Sequence, residues 1–99
     1  MIAIEKKDGC TVVRPDGDLV ASHSDELRAS LLTAIGDGSS DVLIDMVSAR
    51  LIDSLGISTI IAAHNSFGGR PGKLRLVNVN DDIRGLLRLM RLDQHIQIS

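Results

Sequence analysis

The chain contains few aromatic residues and few cysteines, and these shortages exclude several kinds of site. Among its 99 residues there is one phenylalanine, Phe67, and no tryptophan or tyrosine. The aromatic platforms on which many single-stranded nucleic-acid binders stack bases are therefore missing. The single cysteine, Cys10, cannot form an intrachain disulfide or a cysteine-rich zinc site. We expect a reducing, cytoplasmic setting and a fold that rests on its apolar core.

The chain also lacks a concentration of one charge and a long apolar run. Eleven basic and 13 acidic residues give a formal net charge of −2 at pH 7, and they are dispersed, which argues against direct nucleic-acid binding. The longest uncharged stretch, 54–69, is shorter than the roughly 20 apolar residues of a membrane span. The apolar residues at the start are too few for a signal-peptide core. We expect one domain over residues 1–99, without export or membrane insertion.

Alternating strand-like and helix-like segments predict an α/β fold. Short apolar or alternating runs predict strands over 2–6, 10–14, 42–46 and 74–79, with a weak strand near 96–98. Amphipathic periodicity and capping residues predict three helices: from Ser24 to Gly36 or Gly38 behind a Ser22 or Ser24 cap, from Ser54 to Gly68-Gly69, and a third after Asn80 or Asp81. Right-handed crossovers then give a mixed, mainly parallel β-sheet with helices packed against it.

Two packing expectations accompany these elements. The compact apolar run at 42–46 is typical of a central strand that is buried on both faces. The third helix is expected to turn Ile83, Leu86, Leu87 and Met90 towards the core, since they share one helical face.

The candidate site follows the 42–46 strand. Ser54 would open the second helix, where unpaired N–H groups and the positive end of the dipole can hold a phosphoryl group. Asp53 could orient the Ser54 hydroxyl or act only as a helix cap, and both interpretations stay open. Gly56, in the first turn, is expected to leave the backbone uncovered.

The chain resembles the STAS domain of anti-sigma factor antagonists, the proteins of bacterial partner-switching pathways. The resemblance extends nearly end to end and rests on these segments: Gly17-Asp18-Leu19, Asp25-Glu26-Leu27, Val42-Leu43-Ile44-Asp45-Met46, Ile52-Asp53-Ser54-Leu55-Gly56-Ile57 and Leu76-Val77-Asn78-Val79. The Asp-Ser-x-Gly-hydrophobic element at 53–57 is its specific part. The fold that the resemblance implies is a single STAS-like domain.

The resemblance also implies a function. Ser54 is similar to the serine that a cognate anti-sigma factor serine kinase phosphorylates and a serine phosphatase restores. The unphosphorylated form would bind the kinase and free the kinase's other client, whereas phosphorylation would release it. The protein would be a binding module and not an enzyme, and the residues expected to contact the partner are Asp53, Leu55, Gly56, Ser22 and His23.

An alternative is a STAS docking subunit of a lipid-transport ATPase or a sensory scaffold, in which no phosphoryl transfer takes place. Leu55 stands where the family usually has a small residue, and it is either an exposed interface anchor or a residue that folds back onto the core. The apolar edge at 96–98 and Leu55 could support a weak homodimer.

The remaining charged and metal-ligating residues are less specific. Arg84, Arg88 and Arg91 recur at helical spacing and form either a positive stripe for an acidic partner or a solvated face. Histidines 23, 64 and 95 lie on separate segments without a carboxylate or cysteine at ligand spacing. We therefore expect no metal and no cofactor.

Overall fold

The computed structural model describes residues 2–7, 9–36, 41–67 and 73–99. Its strands are β1 (Ile2–Lys7), β2 (Cys10–Pro15), β3 (Asp41–Asp45), β4 (Lys73–Val77) and β5 (Gln97–Ile98). Its helices are α1 (Ala21–Gly36), α2 (Ser54–Ser66) and α3 (Asp81–Leu89), with a short 3-10 turn at Leu92–Gln94. The strands lie side by side in chain order; β1 is antiparallel to β2, and the later neighbours are parallel. The predicted mixed, mainly parallel sheet with packed helices is confirmed.

The helices cover one face of this sheet. Crossovers between parallel strands are right-handed in nearly all proteins, and each one here adds the next strand on the same side, so successive helices lie over the same face. The side chains that point to this face are buried: Thr11, Val13, Val42, Ile44, Leu74 and Leu76. The core is completed by helix residues: Leu27, Leu31, Ile57, Ile60, Ile83 and Leu87. The short 20 Å dimension of the molecule matches two such layers.

The opposite face of the sheet is more open and carries charges. Asp41 and Leu43 of β3 point to it and are half-buried, so the expectation that this strand is buried on both faces is wrong. The physical reason is the single-sided helix layer. Asp41 compensates for its partial burial by accepting a hydrogen bond of 2.9 Å from the Arg75 guanidinium on the neighbouring strand.

Asp45 organises the carboxyl end of β3 on this open face. Its carboxylate accepts hydrogen bonds from Arg14 Nε at 2.9 Å, Asn78 Nδ2 at 2.9 Å and the Val47 N–H at 3.1 Å. Burial raises the pKa of Asp45, but the hydrogen bonds from Asn78, Arg14 and Val47 outweigh it and leave the pKa below its usual value. One carboxylate therefore joins β2, β3 and the turn that leaves β4.

Two helix boundaries differ from the sequence expectation. Helix α1 begins at Ala21, three residues before the predicted start, and neither Ser22 nor Ser24 caps it. The Ser24 hydroxyl instead donates back to the Ala21 carbonyl at 3.0 Å. The described part of α1 ends at Gly36, one of the two predicted ends; Gly38 lies outside the described residues. Helix α2 begins at Ser54 as predicted and ends at Ser66, before the undescribed Gly68-Gly69.

Helix α3 buries a narrower stripe than its sequence predicts. Ile83 and Leu87 are in the core, but Leu86 and Met90 are exposed, so their expected inward orientation is wrong. The helix also ends at Leu89, and Arg91 adopts the left-handed conformation that often terminates helices. A nine-residue helix that contacts the core along one stripe leaves its flanks uncovered.

The Asp45 cluster predicts an unequal cost for two aspartate substitutions in β3. Asp45→Ala should lower the free energy of unfolding by about 2–3 kcal/mol, because it removes a nearly buried carboxylate that accepts hydrogen bonds from Arg14, Asn78 and Val47. Asp41→Ala is the matched control and should cost about 0–1 kcal/mol, since the Asp41–Arg75 pair is more exposed. Urea unfolding at neutral pH measures both values, and equal costs would contradict this ranking.

Candidate functional site

The candidate site is formed where the first turns of α1 and α2 meet at the carboxyl edge of the sheet. The segment before α1 pairs with the segment before α2 through a parallel bridge between Leu19 and Ile52. The Leu19 N–H donates to the Leu51 carbonyl at 3.0 Å, and the Asp53 N–H donates to the Leu19 carbonyl at 3.1 Å. This small extension of parallel pairing brings the two helix N-termini side by side.

The Asp53 carboxylate links these two helix N-termini. Its Oδ1 accepts from the Gly56 N–H at 2.9 Å, which is an N-cap of α2. Its Oδ2 accepts from the Ala21 N–H at 2.8 Å, across 32 residues of chain, and thereby satisfies a donor at the start of α1. The capping interpretation of Asp53 is confirmed, and the missing local cap of α1 is explained by this remote carboxylate.

These hydrogen bonds lower the pKa of the Asp53 carboxyl group. The Gly56 N–H is the main cause that lowers its pKa below the usual value; partial burial opposes the shift, and the Ala21 N–H adds to it. The carboxylate is thus held in its charged form. It also accepts from the Gly56 N–H, so this one of the helix-start donors is already paired within the chain.

Gly56 is buried, and the expectation that it leaves the backbone uncovered is wrong. A Cβ atom built on Gly56 would collide with the Leu19 carbonyl oxygen and would lie 3.0 Å from Ile52 Cγ1. The close approach of the two pre-helix segments therefore requires a residue without a side chain at this position. Its role is to let α2 pack onto the Leu19 backbone.

Asp18 is a second structural carboxylate that the sequence did not single out. Its Oδ1 accepts from the N–H groups of Arg50 at 2.9 Å and Leu51 at 3.1 Å. These bonds tie the loop before α1 to the loop before α2. The sequence signals were the Gly17-Asp18-Leu19 segment of the family resemblance, which assigned Asp18 no role, and an aspartate in a glycine-containing turn. That turn pattern indicates local turn formation more often than a contact with a distant segment.

Ser54 and Leu55 project from this rigid base. Ser54 is the first residue of α2 and is exposed, and no described group hydrogen-bonds to its hydroxyl. Leu55 is 49% exposed, which rules out the alternative in which it folds back onto the core. Val47 and Leu51, on the loop between β3 and α2, are also exposed large apolar residues. The hydroxyl is therefore accompanied by apolar surface along the same loop and helix start.

Ser22 and His23 lie in the first turn of α1, next to the residue that Asp53 binds. Both are exposed, and His23 Nδ1 lies 3.0 Å from the Asp18 carbonyl oxygen. The structure therefore places all five sequence-predicted contact residues, together with Ser54, at one edge of the molecule. Four of the five are at least partly exposed, whereas Gly56 is covered.

The other two histidines lie elsewhere. His64 and His95 line an open cavity of about 570 Å³ together with Phe67 and Lys73. Within the described ranges, no cluster of three or more histidine, cysteine, aspartate or glutamate residues is arranged to hold a metal ion. Among the helices of those same ranges, none has the length and apolar character needed to cross a membrane.

Comparison with known proteins shows which family has this architecture. The sequence model of the STAS domain matches residues 1–99. This chain belongs to the STAS domain family. The family assignment agrees with the resemblance that the Asp-Ser-x-Gly-hydrophobic element indicated.

Several solved structures share the fold of this chain. An anti-sigma factor antagonist from Mycobacterium paratuberculosis matches with a TM-score of 0.89 and 20% identity, over 100% of this chain and 84% of that chain. SpoIIAA, a cell fate determinant of Bacillus solved in its phosphorylated form, matches with a TM-score of 0.77 and 19% identity, over 100% and 91%. A sulfate transporter family protein from Wolinella succinogenes matches with a TM-score of 0.77 and 19% identity, over 91% and 77%.

The contact between Gly56 and Leu19 predicts a strong effect of a single methyl group. Gly56→Ala should lower the free energy of unfolding by about 3 kcal/mol, because the backbone of the pre-α1 segment must move to accept the Cβ. Gly85→Ala is the matched control: Gly85 is also inside a helix, but a Cβ there meets nothing within 4 Å. That control should stabilise the protein by about 1 kcal/mol. Similar effects of both substitutions in urea unfolding would contradict the prediction.

The depressed pKa of Asp53 predicts an acid dependence of stability. A carboxylate whose folded pKa is lowered contributes stability above its unfolded pKa of about 4, and loses it as the pH falls through the folded value. Asp53→Asn should therefore be less stable than the parent at pH 7, and the difference should shrink as the pH falls below about 4. Urea unfolding between these pH values tests this, and a constant difference would show that ionisation of Asp53 contributes nothing.

Proposed function

We propose that this protein is a partner-switching regulator of the anti-sigma factor antagonist type. Its form with a free Ser54 hydroxyl binds a cognate anti-sigma factor serine kinase and frees the kinase's other client. Phosphorylation of Ser54 releases it, and a serine phosphatase restores the binding form. The protein acts as a substrate and a binding module rather than as an enzyme, in the cytoplasm. The observation that carries the proposal is the exposed Ser54 hydroxyl on a fixed helix start, beside exposed apolar side chains.

The geometry supports a switch that works through charge. Phosphorylation adds about −1.5 to −2 charge at neutral pH, directly after Asp53, whose carboxylate is already held ionised. The Gly56 N–H donates to Asp53 and is not free to neutralise a phosphate. A phosphate on Ser54 would therefore face outwards, where a docking partner must desolvate it. Repulsion and desolvation of about 3–4 kcal/mol would weaken binding several hundred-fold.

The same geometry supports a contact surface that spans both helix starts. Asp53 binds the Ala21 N–H, so Ser22 and His23 are held beside Ser54 without a flexible link between them. Leu55 provides the apolar anchor. Gly56 contributes indirectly, because its lack of a side chain lets α2 pack onto the Leu19 backbone. A partner would therefore bind a preformed surface. The backbone of this surface need not rearrange when Ser54 is phosphorylated.

A second candidate function has one supporting observation, the fold likeness to a sulfate transporter family protein. In that case the chain is a STAS docking module of a transport or scaffold complex, and Ser54 is not a phosphorylation site. The two functions differ in a single measurable property. A docking module should bind its partner equally well whether Ser54 is replaced by alanine or by aspartate.

The direct test is incubation of the purified protein with ATP, Mg²⁺ and the anti-sigma-type serine kinase of the same genome, followed by intact and peptide mass spectrometry. We expect one phosphate on Ser54 and none on the Ser54→Ala variant. Ser54→Ala should keep kinase binding, and Ser54→Asp should weaken it. An active kinase that leaves the protein unmodified, with equal binding of both variants, would favour the docking module instead.

The role of Leu55 can be tested separately in the same binding assay. Leu55→Ala should reduce affinity for the kinase roughly tenfold, because truncation of an apolar anchor at an interface costs about 1–2 kcal/mol. Leu32→Ala is the matched control, since Leu32 is 48% exposed but lies far along α1 from the site. Equal affinities of the two variants would remove Leu55 from the contact surface.

A further inference from the structure

The loop between β3 and α2, residues 46–53, exposes two large apolar side chains that had no predicted role. Leu51 is 63% exposed and Val47 is 62% exposed, so both are more exposed than Leu55. Single exposed leucines are common on protein surfaces, and exposure by itself indicates little. These two side chains, however, lie on the segment that leads directly to Ser54.

The backbone that carries Leu51 is fixed on both sides. Its N–H donates to Asp18 Oδ1 at 3.1 Å, and its carbonyl accepts from the Leu19 N–H at 3.0 Å. A loop that is held in this way loses little conformational freedom when a partner binds, which favours a tight contact. Leu51 therefore combines a fixed backbone with an exposed apolar side chain.

The other end of the loop, which carries Val47, is also fixed. The Val47 N–H donates to Asp45 Oδ1 at 3.1 Å, and the Ala49 N–H donates to the Met46 carbonyl at 3.1 Å. Asn80, which precedes α3, donates from Nδ2 to the Ala49 carbonyl at 3.1 Å. The loop is thus tied to β3 and to the start of α3, and it presents its apolar side chains from a fixed base.

Leu51 lies within the area that a protein bound over Ser54 covers. Three residues of extended chain span at most about 11 Å, which limits the separation of the Leu51 and Ser54 Cα atoms. A stable protein–protein contact buries about 800 Å² on each partner, and a round patch of that area extends about 16 Å from its centre. A kinase that docks over Ser54 with a contact of this size therefore covers Leu51 as well.

Charge does not select the partner of this loop. Arg50 is exposed beside Leu51, whereas Asp81 and Asp82 are exposed at the start of α3 and Asp53 is held ionised at the end of the loop. Charges of both signs therefore border the two apolar side chains. What the loop offers a partner is apolar area on a fixed backbone, and the complementary feature is an apolar pocket.

We propose that Leu51 and Val47 are further apolar anchors for the kinase, which receives Leu51 in an apolar pocket. This inference rests on the proposed partner-switching function. Ser54 is then flanked in the chain by one anchor on the loop and another, Leu55, on α2. A phosphate on Ser54 would lose hydration between two apolar contacts, which adds to the cost of binding the phosphorylated form. A second copy of the chain in the same place would cover Ser54 and exclude the kinase.

The first test measures the affinity of the purified kinase for variants of the full chain by isothermal titration calorimetry. Leu51→Ala should weaken binding about tenfold and Val47→Ala about threefold. Leu89→Ala is the matched control and should bind like the parent, because Leu89 is 84% exposed but is the last residue of α3, which starts at the Ser54 edge and runs away from it. Parent-like affinity of Leu51→Ala, with Leu55→Ala weakened, would overturn the inference and leave the proposed function standing.

The location of Ser54 between the two anchors is tested by combining substitutions. Ser54→Asp should weaken kinase binding less in the Leu51→Ala background than in the parent, by a factor of about three, because a looser contact removes less water from the new carboxylate. Equal losses in the two backgrounds would show that Leu51 does not affect the hydration of this group, and would overturn the inference.

Two further measurements test the other occupants of this surface. They are sedimentation of the chain alone and its binding to phosphatidylglycerol vesicles. A dimer or a vesicle-bound form that Leu51→Ala abolishes, with kinase affinity unchanged, would overturn the inference. A parent chain that neither binds the kinase nor gains a phosphate on Ser54 would overturn the proposed function and the inference with it.

Discussion

The double hydrogen bond of the Asp53 carboxylate is the constraint on which the candidate site depends. One oxygen caps α2 and the other binds the first N–H of α1, so a single side chain fixes the relative position of two helices. The Leu19–Ile52 bridge and the side-chain-free surface of Gly56 make this arrangement possible. Any change in the charge or geometry of this carboxylate acts on both helix starts at once, and the exposed Ser54 lies directly beside it.

The one-sided helix layer explains how the remaining charges are arranged. Strands added in chain order by crossovers of one hand leave the opposite face of the sheet without helices, and aspartates and arginines there pair across strands. Asp45 has the largest structural role among them because it is nearly buried and accepts three hydrogen bonds. The open face thus contributes to stability, while six of the eight exposed large apolar residues of the described ranges lie on the Ser54 edge and on α3.

Glycine illustrates how similar sequence signals acquire different meanings. Gly56 and Gly85 both lie inside helices, yet one contacts a backbone carbonyl from a distant segment and the other faces open space. Helix periodicity alone assigns neither role, since it describes only neighbours along the same helix. The same limit applies to Leu86 and Met90, whose spacing matches that of the buried Ile83 and Leu87 although nothing in the described structure covers them.

The sequence by itself determined the order of strands and helices, the mainly parallel sheet, the start of α2 at Ser54 and the family motif, because these depend on local periodicity, capping residues and turn signals. Only the tertiary structure decided that α1 starts at Ala21, that Asp53 and Asp18 bind backbone groups of distant segments, that Gly56 is covered and that Leu55 is exposed. Each of these depends on contacts between residues far apart in the chain, and the energies of such contacts leave no periodic trace in the sequence.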